Sequence, residues 1–143
     1  MGTPMQIVIA CQEPGRLAAF WRTALGYAEE PPPDGFASWD EFVAEHDLPP
    51  DIGNDLDSAV DPAGVGPRLF FERVPESEPQ RRIHLDINVV GRSDVPWDER
   101  KERVGAEAAR LESAGATRLK KVERQGTYWI EMADPEGNWF CVQ

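Results

Sequence analysis

Gln6-Ile7-Val8-Ile9-Ala10, then Arg16-Leu17-Ala18-Ala19-Phe20-Trp21 and Leu25-Gly26-Tyr27, form a passage that the chain repeats. The second copy reads His84-Leu85-Asp86-Ile87-Asn88, then Glu107-Ala108-Ala109-Arg110-Leu111-Glu112 and Ala114-Gly115-Ala116. In each copy an alternating strand gives way to an amphipathic helix that stops at glycine. Two copies of one supersecondary unit predict two similar modules related by a pseudo-twofold axis, with a cleft between them.

Working outward from the first copy, apolar residues at alternate positions predict a strand over 5–10. Over 14–25, Leu17, Phe20, Trp21 and Leu25 recur at spacings of three and four behind Pro14, which predicts a helix packed on a sheet and ended by Gly26. A strand begun over 27–30 is stopped by Pro31-Pro32-Pro33, because proline cannot donate to a ladder. The stretch 31–66 is rich in Pro, Gly and Asp and reads as an irregular insert with one short helix over 39–45. Its length marks it as a docked lid or a loose segment, and Trp39, Phe42 and Val43 argue for docking. A strand follows over 68–74. After a polar bridge over 75–80, the second copy predicts a strand over 82–90 and a helix over about 98–113 with Val104, Ala108 and Leu111 as its stripe. Strands over 117–123, 127–133 and 139–143 complete it, with a tight turn at Asp134-Pro135-Glu136-Gly137-Asn138.

Composition bounds the partners. The chain of 143 residues is of a size for one domain without disulfides. Its 26 acidic against 15 basic residues, a formal charge of −11, repel phosphate backbones and anionic lipid, so neither nucleic acid nor membrane is an expected partner. Two cysteines, Cys11 and Cys141, without CxxC spacing indicate neither a disulfide framework nor a cysteine-rich zinc module. With no apolar run near 18 residues and no signal-like N-terminus, the expectation is a cytoplasmic protein.

These features resemble the vicinal oxygen chelate superfamily, in particular its glyoxalase-like domains. The resemblance spans nearly the whole chain and rests on Leu17 to Trp21 with Leu25-Gly26-Tyr27, on the run from Gly66 to Glu76, on Ile83-His84-Leu85-Asp86, and on the turn from Asp134 to Asn138. It implies an α+β fold: one domain over 1–143 made of two βαβββ modules, about 5–75 and about 81–143, whose mixed sheets curl into a cup with helices outside. It also implies a homodimer.

Metal-binding members usually take one ligand from the first and one from the last strand of each module. Those positions here hold Gln6, Glu72, His84 and Cys141, and strand parity turns all four away from the helices. Gln, His and Glu match what some metal-dependent glyoxalase I enzymes present, whereas Cys141 stands where those enzymes carry a carboxylate. Classical glyoxalase I activity is therefore not the expectation. A facial triad of two histidines and a carboxylate, as in extradiol dioxygenases, is not met either, because Gln6 replaces a histidine.

Each of these residues also has a plain reading. His84 serves as ligand or acid–base group, or as a hydrogen-bonded structural histidine. Glu72, flanked by Phe70 and Phe71 on a central strand, is costly to bury unless a cation, a histidine or a ligand satisfies it. Gln6 reads by default as a polar lining residue and Cys141 as a small buried hydrophobe; His46 reads as a solvated loop residue. Trp39, Phe70, Asp86 and Trp129 are the candidate ligand-binding residues, and aromatic plus acidic lining suits a planar or cationic small molecule. Two functions stay open. One is a lyase or isomerase using a divalent metal (Zn, Ni, Mn or Fe), with Glu72 and His84 moving protons. The other is a non-catalytic, antibiotic-type binding protein that needs no metal.

Overall fold

The computed structural model describes residues 2–75, 82–91, 94–124, 126–135 and 137–143. The chain is α+β, with the order β1 (Met5–Cys11), α1 (Pro14–Leu25), α2 (Trp39–Glu45), β2 (Leu56–Ala59), β3 (Arg68–Arg73), β4 (Ile83–Ile87), α3 (Trp97–Ser113), β5 (Thr117–Arg124), β6 (Thr127–Ala133) and β7 (Trp139–Val142). It divides into two compact units. One comprises Met1–Ile7 with His84–Gln143, the other Val8–Ile83.

In the unit of Met1–Ile7 and His84–Gln143, strands run in the order β1-β4-β7-β6-β5. β4 and β7 are parallel, while β6 is antiparallel to both β7 and β5, so the sheet is mixed. The expected helix stripe holds: Val104 and Ala108 are fully buried, packed with Ile130, Met132 and Val142, and Leu111 lies against that cluster. The 3.6-residue period of α3 and the two-residue period of β6 and β7 thus converge on one dry layer. Leu85 and Ile87 point away from His84 as parity requires, yet Leu85 is left exposed. The turn between β6 and β7 is closed by Asp134, whose carboxylate accepts from the backbone and side-chain amides of Asn138.

The unit of Val8–Ile83 pairs β2 antiparallel with β3, with β1 on the far side of β3. β2 lies inside the stretch that the sequence reading leaves irregular. The expected strand over 27–30 reduces to a single bridge, Ala28 to Val60. Helix α1 has its expected bounds, with Gly26 in the left-handed region at its C-cap (φ 69°). Its buried face is not the expected one. Pro14 and Ala18 are buried and Leu17, Trp21 and Arg22 half-buried, whereas Phe20 (60% exposed) and Leu25 (48%) face outward. Small, fully buried Ala18 lets the helix approach β2 and β3, and Arg22 binds the strand backbone, so the helix is rotated from the stripe of largest side chains.

Helix α2 has the expected bounds, 39–45. Ser38 caps it by accepting from the Glu41 amide, and the Glu41 carboxylate accepts in return from the Ala37 amide. His46, expected as a solvated loop residue, is exposed at the C-cap of this helix, with its ring 4.1 Å from that of Phe42. The polar bridge over 75–80 lies outside the described residues save for Pro75. Among the described residues, no helix is long and apolar enough to cross a membrane.

Candidate functional site

Alternation along β4 places His84 and Asp86 on the face opposite the α3 layer, and the parallel register of β4 with β7 sets Cys141 directly beside Asp86. All three are buried, with 5–7% of their surface exposed. Gln6 on β1 is buried with them and donates its amide Nε2 to Asp86 Oδ2. The other carboxylate oxygen, Oδ1, lies 3.2 Å from His84 Nε2. The His84 ring is packed at 3.9 Å between centroids against Trp139, tilted by 48°. One ligand atom each from His84, Asp86 and Cys141 lies within 4.8 Å of the others.

The donor set fits a divalent metal in its chemistry: imidazole nitrogen, carboxylate oxygen and thiolate sulfur are the ligands zinc accepts, at bond lengths of about 2.0–2.3 Å. Donors around a tetrahedral ion at those lengths stand roughly 3.3–3.8 Å apart, so side-chain rotations on the order of 1 Å would close the group. Asp86 is also stable as it stands, because a buried carboxylate is costly only when its oxygens lack partners, and each oxygen here has one.

Four residues singled out in the sequence, Gln6, His84, Asp86 and Cys141, therefore meet in one place. Asp86, read there as a ligand-binding residue, is the carboxylate of the group. Trp129 is half-buried on β6 in register with Val122; on the same strand Glu131 is in register with Cys141. Glu72 belongs to the Val8–Ile83 unit. It is half-buried on β3, paired with Leu56, and its backbone carbonyl receives Cys11 Sγ at 3.7 Å. Burial pushes the Cys11 thiol above its ordinary pKa.

The same unit holds a pocket of about 440 Å³, in which the other two candidates, Trp39 and Phe70, line the wall. Phe42, Val43, Leu48 and Leu56 supply apolar lining. Antiparallel pairing of β2 with β3 puts Ser58 beside Phe70, and a polar network surrounds them. Glu30 accepts a two-pronged contact from Arg68 (Nε at 2.9 Å, Nη2 at 2.5 Å) and a hydrogen bond from Ser58 Oγ at 2.8 Å. Arg68 also lies over the Phe70 ring at 4.9 Å. Arg22 donates to Asp57 and to the Ser58 carbonyl, and its Nη1 reaches Glu29 at 3.3 Å. The Trp39 indole donates to the Glu30 carbonyl at 2.8 Å, which ties α2 to the pocket. The sequence reading missed Arg22, Glu30, Asp57, Ser58 and Arg68. Only Arg68, two positions before Phe70 and so on the same strand face, carried a readable signal.

The chain belongs to the glyoxalase-like domain family, whose pattern matches residues 6–143. No curated protein matches the sequence significantly. Among solved structures, similarity extends to a Legionella pneumophila protein described as an NAD-dependent benzaldehyde dehydrogenase (TM-score 0.59, 13% identity, 97% of this chain and 96% of that one). It extends also to Streptomyces coelicolor methylmalonyl-CoA epimerase in complex with 2-nitronate-propionyl-CoA (TM-score 0.50, 15% identity, 98% and 95%). A glyoxalase/bleomycin resistance protein/dioxygenase superfamily member from Vibrio splendidus 12B01 is a further match (TM-score 0.45, 14% identity, 99% and 97%). At such identities the likeness is one of fold, and function must be argued from the site.

Proposed function

We propose that this glyoxalase-like protein binds a small organic molecule and that His84, Asp86 and Cys141 hold a divalent metal in support of lyase or isomerase chemistry. The observation that carries the reading is the convergence of three buried donors of different chemical type within 4.8 Å. A metal held there would supply Lewis acidity, polarising a carbonyl or a pair of vicinal oxygens. The thiolate and imidazole favour zinc or nickel over manganese.

The chain's own residues do the positioning. Gln6, by donating to Asp86 Oδ2, fixes the carboxylate plane and leaves Oδ1 toward His84. Trp139 limits rotation of the His84 ring. Such supporting contacts orient ligands and are felt in metal affinity when removed. The second reading, sequestration of a ligand without metal, is supported by the fact that both oxygens of Asp86 already have protein partners.

The two readings separate on titration of cobalt(II) into chelator-treated protein. Ligation by Cys141 gives a sulfur-to-cobalt charge-transfer band that saturates at one equivalent, survives Cys11→Ser and disappears in Cys141→Ser. Absence of that band in the unaltered chain overturns the metal reading in favour of the second.

A further inference from the structure

The pocket of the Val8–Ile83 unit has a charge pattern that selects its occupant. Its volume, about 440 Å³, falls within the roughly 300–1,000 Å³ of small-molecule sites. Two guanidiniums line it, Arg22 and Arg68, against four carboxylates, Glu29, Glu30, Asp40 and Asp57. Both guanidiniums are committed. Arg68 is gripped by Glu30 and covers one face of Phe70, and Arg22 is held by Asp57, the Ser58 carbonyl and Glu29. An anionic ligand would have to break one of these charge-assisted contacts before gaining its own. Asp40, in the first turn of α2, makes no ion pair among the described residues. Its neighbour Trp39 is 41% exposed and meets Phe42 edge-on at 5.6 Å, so its indole is not stacked face to face on that ring.

We infer that this pocket is a binding site for a planar organic cation, stacked on the Trp39 indole with its charge beside Asp40. The apolar lining takes the body of such a molecule, and indole is the strongest of the side-chain partners for a cation over a ring. The inference rests on the small-molecule half of the proposed function and is independent of the metal. α2 is the element that makes the site, since it brings Trp39, Asp40 and Phe42 to one wall.

The test uses proflavine, a planar cationic dye, and anilinonaphthalene sulfonate, an anionic one, titrated into the full-length protein while fluorescence is followed. Metal content is determined on the same sample, so failure of the metal reading and failure of this one are read separately. Proflavine binds saturably at one equivalent, and the anionic dye does not compete with it. Asp40→Asn weakens proflavine about fivefold, the loss of one partly exposed opposite charge, and Trp39→Ala about tenfold or more. Trp39→Phe keeps a ring while losing the indole donor to Glu30, and retains most of the affinity. Glu123→Gln, an acidic residue on β5, changes nothing. Equal or better binding of the anionic dye overturns the inference, as does proflavine affinity unchanged in both Asp40→Asn and Trp39→Ala. Weakening by Glu123→Gln as large as that by Asp40→Asn overturns it too, since binding would then report only the overall negative charge.

Discussion

Gly66 shows how much one residue decides. Its backbone amide donates to the Asp61 carboxylate at 2.7 Å, as do those of Ala63 and Val65, and these bonds hold Asp61 below the usual carboxylate range. A Cβ at position 66 would overlap the Tyr27 hydroxyl and stand 3.1 Å from Tyr27 Cζ. Gly66→Ala is therefore expected to destabilise the protein by roughly 1–3 kcal/mol, the usual range for forced overpacking. Chemical denaturation checks this, and Tyr27→Phe, which removes the overlapped oxygen, should restore part of the loss. Additive effects of the two changes would show that the contact is not the cause. The glycine is part of the motif quoted for the family resemblance. Its physical reason, close approach of an aromatic residue 39 positions away, is visible only in three dimensions.

At the scale of elements, the stripe of α1 is the instructive case. Leu17, Phe20, Trp21 and Leu25 and the alternative Pro14, Leu17, Ala18, Trp21 and Arg22 both fit a 3.6-residue period, and side-chain size favours the first. The fold takes the second, because a fully buried alanine admits close packing and Arg22 finds the Ser58 carbonyl and Asp57. Phe20, turned outward, packs edge-on with Trp21, with 5.3 Å between ring centroids. Ala18→Leu should accordingly cost about 1–3 kcal/mol, while Phe20→Ser should change stability by no more than about 0.5 kcal/mol. Thermal or urea unfolding of the two variants decides, and the reverse ranking would restore the first stripe.

Alternation was enough to bring Gln6, His84, Asp86 and Cys141 to one side of their strands, because a period of two leaves no choice of face. Strand β2 was not legible: Leu56-Asp57-Ser58-Ala59 is four residues with mixed polarity, and it is a strand by virtue of pairing with β3. Likewise Arg22 with Asp57 and Arg68 with Glu30 are separated by 35 and 38 residues, and no local periodicity signals such pairs. Asp86 was on the correct face, but its place as the carboxylate beside His84 and Cys141 depends on the parallel register of β4 with β7, which a sequence does not print.

For the whole molecule, membership of the glyoxalase-like family sets the architecture, and the function has to be argued from the site built on it. The parallel register of β4 with β7 sets the Asp86 carboxylate beside the Cys141 thiol. A soft and a hard donor are thus adjacent, a combination suited to zinc. Its formal charge of −11 favours association with cations over anions throughout, ligands and metal alike. The proposed metal centre of His84, Asp86 and Cys141 is checked by elemental analysis of protein purified without a metal-binding tag, with His84→Ala prepared in parallel. Near-stoichiometric divalent metal in the unaltered chain, lost in the variant, is the predicted result; metal-free protein in both, or metal retained in His84→Ala, would contradict it.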